Sequence, residues 1–161
     1  MNTPIFMKHY AVVLLLLAGL TTACKKSTID GVTPIVDPRD RMVGTYSIGY
    51  NVVIRIGSRA TTPETYTGNL VVTKSQAANE LYLDFDAPGM KERQTAALTD
   101  SSFTILDKKT QPIILNGTSF VGQYSATGQF VREGNQQKFT YNGVSEDADL
   151  KMVTFLTGTK K

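Results

Sequence analysis

Residues 41–161 predict an all-β domain, an antiparallel meander of about eight to ten strands. Three observations carry that expectation. Over residues 42–56 apolar and aromatic side chains or glycine occupy the even positions, the period of a strand with one buried face. Turn signals then recur at short intervals: Ala87-Pro88-Gly89, Asp100-Ser101-Ser102, Asn116-Gly117 and Glu133-Gly134-Asn135. No segment holds helical periodicity over the usual length of about ten residues, and the best candidate, residues 74–79, is too short.

The first strand reads Met42, Gly44, Tyr46, Ile48, Tyr50, Val52, Ile54 and Ile56 on one face, with Thr45, Ser47, Asn51 and Arg55 on the other. It exceeds the usual strand of about five or six residues, so Gly44 and Gly49 are expected to mark bends or bulges. Two shorter strands follow. Tyr66, Gly68, Leu70 and Val72 alternate with Thr67, Asn69 and Thr73; Leu81, Leu83 and Phe85 alternate with Tyr82, Asp84 and Asp86. Residues 91–98 and 103–106 form weaker strands, and residues 113–115 run into Asn116-Gly117, the strongest hairpin signal in the chain. Asn116-Gly117-Thr118 also fits an N-glycosylation sequon, but the turn accounts for it. Residues 120–124 and 128–132 read as two strands, and residues 138–142 pair back. An acidic loop over 145–149 precedes the last strand at 150–157. Such a meander must either split into two packed sheets or close on itself. The long curved first strand favours a closed or partly open barrel, with a β-sandwich as the alternative.

Ahead of this domain, residues 1–23 read as a secretory signal peptide: a short stretch bearing Lys8, the apolar run AVVLLLLAGL at 11–20, and the small residues Thr21, Thr22 and Ala23. The apolar run is too short for a bilayer-crossing helix, which needs about 20 residues. Met7 begins an equally good and tighter signal, so the true start is Met1 or Met7. Residues 25–40 (KKSTIDGVTPIVDPRD) show neither strand nor helix period and read as a flexible tether following Cys24.

Leu20-Thr21-Thr22-Ala23-Cys24 resembles a bacterial lipobox, with Thr21 where an aliphatic residue usually stands. The resemblance implies that Cys24 receives a diacylglycerol and becomes the new amino terminus. At about 0.8 kcal/mol per buried methylene, two or three acyl chains hold a domain at a bilayer almost permanently. Lys25 is not acidic, which by the same resemblance implies outer-membrane delivery. No acidic run follows the Cys, which favours the periplasmic face over the cell surface.

Asp37-Pro38-Arg39-Asp40-Arg41-Met42-Val43-Gly44-Thr45-Tyr46 is similar to the opening of small Bacteroidota lipoproteins with lipocalin-like domains, and Phe155-Leu156-Thr157-Gly158-Thr159-Lys160 to their closing strand. Gly44-Thr45-Tyr46 would correspond to the lipocalin Gly-x-Trp signature, with Tyr46 in place of the Trp that plugs the barrel base. The likeness covers both ends of residues 37–160; the middle matches in strand pattern alone.

The chemistry available to the mature chain is narrow. The sequence has one Cys, one His and no Trp. With His9 expected to leave with the signal peptide and Cys24 lipidated as the resemblance implies, Ser-His-Asp and Cys-His catalysis and His-ligated metals are excluded. Loss of Lys8 lowers the formal charge by one from +3. With Lys108-Lys109 and Lys160-Lys161 isolated, no basic patch suits nucleic acid. Asp84 and Asp86 share a strand face, where a solvated surface is the simpler reading. Glu146, Asp147 and Asp149 are weak candidates for a cation, since their spacing lacks a regular loop pattern. Tyr46, Tyr50, Tyr66, Tyr124 and Tyr141 fall on strand faces, where they either line a ligand cavity or pack the core and rim.

No cofactor is expected. Two functions remain: a non-enzymatic lipoprotein holding a small apolar or lipid-like ligand inside the barrel, or an envelope interaction or inhibitor module acting through its outer surface and loops.

Overall fold

The computed structural model describes residues 36–161. The expected signal peptide, Cys24 and the expected tether up to residue 35 lie outside the described residues.

Ten strands follow a short 3-10 turn at Pro38–Arg41: β1 (Gly44–Ile56), β2 (Arg59–Ala60), β3 (Glu64–Lys74), β4 (Glu80–Ala87), β5 (Met90–Thr99), β6 (Ser102–Ile105), β7 (Thr110–Leu115), β8 (Thr118–Glu133), β9 (Gln136–Asp147) and β10 (Leu150–Lys160). Eight of them, in the order β1-β3-β4-β5-β6-β8-β9-β10, form an antiparallel barrel closed by pairing of β10 with β1. This architecture is consistent with a lipocalin-like barrel and replaces the sandwich alternative. β2 extends the end of β1, and β7 follows β6 along the same edge of β8, toward and beyond the end of the β8–β9 ladder.

The even positions of β1 face inward as expected. Tyr46, Ile48 and Tyr50 are buried, Val52 and Ile54 are half-buried, and only Ile56 is exposed at the rim. The register with β10 runs unbroken from Tyr46↔Lys160 to Ile56↔Leu150, so Gly49 marks no bulge. Gly44 is a special position: its φ is 141°, and a Cβ there would lie 2.6 Å from Lys160 Cε.

Three other expectations are corrected. Residues 118–133 form one strand, not two, because Gly122, Tyr124, Ala126, Gly128 and Phe130 keep the inward alternation without a break. The expected acidic loop is mostly strand. Glu146 and Asp147 belong to β9, and the turn is only Ala148-Asp149, with Ala148 at φ 50°. Residues 37–40, read as the end of the tether, are packed against the barrel. Asp37 caps the 3-10 turn, accepting from Arg39 N at 2.9 Å, and Arg39 is only 9% exposed. It donates to the carbonyls of Ser75, Ala77 and Glu80 at 3.1, 2.6 and 3.1 Å, the loop between β3 and β4. A buried cation needs this full set of acceptors to offset its lost hydration.

Those contacts plug one end of the barrel. Beneath the plug sit Met42 and Tyr46, the latter donating to Met42 O at 2.7 Å, and then an aromatic layer of Phe103, Phe130 and Phe139 with centroids 5.3–5.5 Å apart. The other end is built differently. The β8–β9 ladder begins at Gln123↔Glu146, so residues 118–122 and all of β7 extend beyond it as a free hairpin. This hairpin folds back across the mouth: Ile113 is fully buried and packs with Leu150, Met152, Val52 and Ile54. Gly122 permits the fold. A Cβ there would lie 2.3 Å from Ser145 Oγ and 2.9 Å from Glu146 N.

Hydrogen bonds from Arg39, with Lys74 beside it at 3.0 Å, hold the Asp37 carboxyl well below its ordinary range. A depressed carboxylate contributes stability above its unfolded value near pH 4, and that contribution is lost as pH falls further. Asp37→Asn is therefore expected to lower Tm at pH 7, with the gap to the unchanged protein narrowing below about pH 4; a gap that persists unchanged in acid would contradict the assignment.

Candidate ligand pocket

The barrel wall has one weak stretch. β5 pairs with β6 only over Ala96–Thr99, and among the described residues β7 pairs only with β8. Leu106 N donates to Thr95 O, and the Asp107 carboxylate accepts from Thr95 N at 2.9 and 3.0 Å. Beyond that stitch, no ladder joins the start of β5 to β7. The short β4–β5 hairpin also leaves this side of the mouth low. A pocket of about 430 Å³ opens here, between the inward residues of β1 and β10, the Pro88-Gly89 turn and the unpaired edge of β7.

Its lining is mainly apolar. Val52, Ile54, Met90, Met152, Pro112 and Ile114 supply most of the wall, with Thr154 and Gln111 as neutral polar groups. Tyr50 and Tyr66 form one side, their rings stacked at 5.1 Å and 27°. The Tyr50 hydroxyl donates to Pro88 O and so ties the first strand to the β4–β5 turn. The Tyr66 hydroxyl donates to Glu64 at the rim, and that carboxylate, more than burial, raises the phenol's pKa.

The five tyrosines expected as lining residues therefore divide. Tyr50 and Tyr66 border the pocket. Tyr46 is fully buried at the closed end and does not line it; burial pushes its pKa far up. Tyr124 and Tyr141 also lie off the pocket, in a polar chain at the weak stretch. Tyr124 donates to the Tyr141 hydroxyl, Tyr141 to Gln94 Oε1 at 2.8 Å, and Gln94 Nε2 to Glu92 Oε1 at 2.8 Å. Lys108 closes the chain, 2.5 Å from Glu92 Oε1 and 4.6 Å above the Tyr124 ring. Its side chain is only 16% exposed.

Gln94, Glu92 and Lys108 were not anticipated. A signal existed in β5, where Glu92 and Gln94 share the face of Met90, Ala96 and Leu98, placing two polar groups where the period demands inward residues. Lys108 had none, since its role depends on the loop between β6 and β7.

The acidic candidates are not brought together. Glu146 and Asp147 are successive residues of one strand and project to opposite faces, and Glu146 pairs with Lys151 across the hairpin. Asp84 and Asp86 share an outer face, where each meets a cation of β5: Arg93 at 2.7 Å and Lys91 at 3.1 Å.

No family model matches the chain. No curated protein matches it either. A similar solved structure is a protein with unknown function from the DUF3598 family of Nostoc punctiforme, 14% identical, with a TM-score of 0.47. The match covers 80% of this chain and 50% of that one. The chain thus spans about half the length of that neighbour, and the likeness assigns neither ligand nor activity.

Burial is the main cause that raises the Tyr124 and Tyr141 pKa values. Spectrophotometric titration is expected to show both phenols, with Tyr46, ionising only as the barrel unfolds in alkali. Tyr141→Phe leaves the Gln94 carbonyl and the Tyr124 hydroxyl without their partner and is expected to cost about 1–3 kcal/mol in urea unfolding. Tyr66→Phe, at the rim, is expected to change stability by less than about 0.5 kcal/mol.

Proposed function

We propose that this chain is a lipid-anchored envelope protein whose barrel holds one small apolar or lipid-like ligand at its open end, without catalysing a reaction on it. The observation that carries this reading is the pocket itself. About 430 Å³ of mainly apolar lining with a few fixed polar groups lies within the roughly 300–1,000 Å³ of small-molecule sites. The aromatic packing of the closed half limits how deep an occupant reaches. A compact ring system or a short acyl segment suits the space better than a long chain threaded through the barrel.

The anchoring half of the proposal rests on the likeness of residues 20–24 to a lipobox, with acylation at Cys24 and the periplasmic face of the outer membrane as the site of action. The non-enzymatic half rests on the side chains left after export, which include neither His nor a free thiol. No helix among the described residues is long and apolar enough to cross a membrane.

A second reading has its own support. Ile114 and Val121 are 64% and 65% exposed on the hairpin that crosses the mouth, beside the unpaired edge of β7. An apolar surface next to free backbone donors and acceptors suits a protein partner that adds a strand.

Native mass spectrometry of the acyl-free domain from its own host separates the two. A co-purifying small mass supports the pocket, and an empty domain bound to a protein supports the edge. Val52→Trp, which fills the pocket from its wall, is expected to weaken binding of an anilinonaphthalene dye at least tenfold while circular dichroism stays unchanged. Undiminished dye binding by the folded variant would rule the pocket out.

A further inference from the structure

The outer face of the barrel carries a band of neutral side chains in register across six strands. Thr104, Thr127, Asn142, Phe155, Asn51 and Thr65 stand side by side on β6, β8, β9, β10, β1 and β3, and all are exposed. The next row toward the closed end holds Gln129, Thr140, Thr157 and Thr67 around Gly49. On the other side a row of half-buried valines, Val144, Val153 and Val53, borders the band. Charge begins only beyond these rows, with Lys138 toward the closed end and the row of Glu146, Lys151 and Arg55 toward the mouth.

Phe155 is central to this band. Its side chain is 47% exposed, although it sits in mid-strand on a barrel with a filled aromatic core elsewhere. Its direct cross-strand neighbours are Asn142 and Asn51, at the distance of about 5 Å at which cross-strand side chains meet. A groove of about 390 Å³ runs from Phe155 and Asn142 over Thr140, Gln129 and Thr127. At Thr140 it meets a second groove, of about 770 Å³, that continues over Thr157, Gly49 and Thr67 and has one cation and one anion, Lys138 and Glu133, at its margin toward the closed end. Gly49 leaves that trough open, since a Cβ there would find no atom nearer than 3.9 Å.

The geometry points to a binding site for a neutral oligosaccharide chain along this face, separate from the interior pocket. A sugar ring offers an apolar C–H face and a rim of hydroxyls that both donate and accept. Phe155 presents a flat apolar surface for the first. The amides of Asn142 and Gln129 and the threonine hydroxyls match the second, because each is donor and acceptor at once, while Asn51, whose Oδ1 accepts from Thr65 Oγ1 at 2.8 Å, adds its amide donors. The alternatives lack their chemistry here: nucleic acid or an anionic glycan requires clustered Lys and Arg, and a stable protein interface requires an apolar centre larger than Phe155 with the three half-buried valines beside it. Successive strands offer polar groups every 4.7–4.9 Å or so, about the length of one pyranose unit in an extended chain.

The test uses the full mature chain in a sugar-free detergent, titrated calorimetrically with maltohexaose, cellohexaose, xylohexaose, mannohexaose and chitohexaose. At least one is expected to bind, and Phe155→Ala is expected to weaken that binding at least tenfold with the far-ultraviolet spectrum and Tm preserved. Gly49→Leu fills the trough from open backbone space at an unstrained position and is expected to weaken it similarly, which keeps the test intact if removal of the Phe155 ring disturbs the fold. Binding of none of the five sugars, or binding that both variants leave unchanged, overturns the proposal.

Discussion

Closure between β1 and β10 is the constraint on which the other features depend. Pairing Tyr46 with Lys160 joins residues near the two ends of the domain and removes the edges an open meander would expose. It also gives the inside and outside of every strand distinct environments, so the period-two pattern becomes a division between core and surface. Pairing across so long a stretch of chain raises the contact order, the feature that sets β-barrels among the slower-folding architectures.

Within the closed ring the two ends have opposite characters. At one, the Arg39 guanidinium, the 3-10 turn and a layer of aromatic rings leave no space, and each aromatic pair adds about 0.5–1.5 kcal/mol beyond its burial. At the other, a hairpin bent at Gly122 lies over a smaller apolar cluster, and the wall beside it is joined by side-chain contacts instead of a ladder. The polar chain from Tyr124 to Lys108 belongs to that weak stretch. Every member has a partner, and among the described residues no buried side-chain polar atom lacks one. A partly satisfied chain would cost more than an apolar filling.

Much of the barrel was legible in the sequence because its information is local. Alternation placed Tyr46, Ile48, Tyr50, Leu81, Leu83 and Phe85 inward, and Asn116-Gly117 placed a two-residue turn, with both residues at positive φ. What escaped depended on contacts distant in sequence. Arg39 looked like a tether residue because its three acceptors lie some forty positions away. Residues 118–133 looked like two strands because the small side chains of Ser125, Ala126 and Thr127 lead into Gly128 and imitate a break, whereas Gly128 is a close approach inside one strand. The division of the tyrosines between pocket, plug and polar chain was hidden for the same reason: alternation tells which way a side chain points, but not at what height along the barrel it sits.

The hairpin over the mouth is held by the β7–β8 ladder, by the burial of Ile113 and by a hydrogen bond from Ser145 Oγ to Gln111 O at 3.1 Å, while most of the ring beneath it is held by ladders on both sides. Its release would break few of the contacts that hold the ring and would expose only the small apolar cluster around Ile113. An occupant of the mouth would exchange on the timescale of that opening, independently of how stable the barrel is. For the proposed occupant, residence time and thermal stability would then be separate quantities, set by different residues and open to change one without the other.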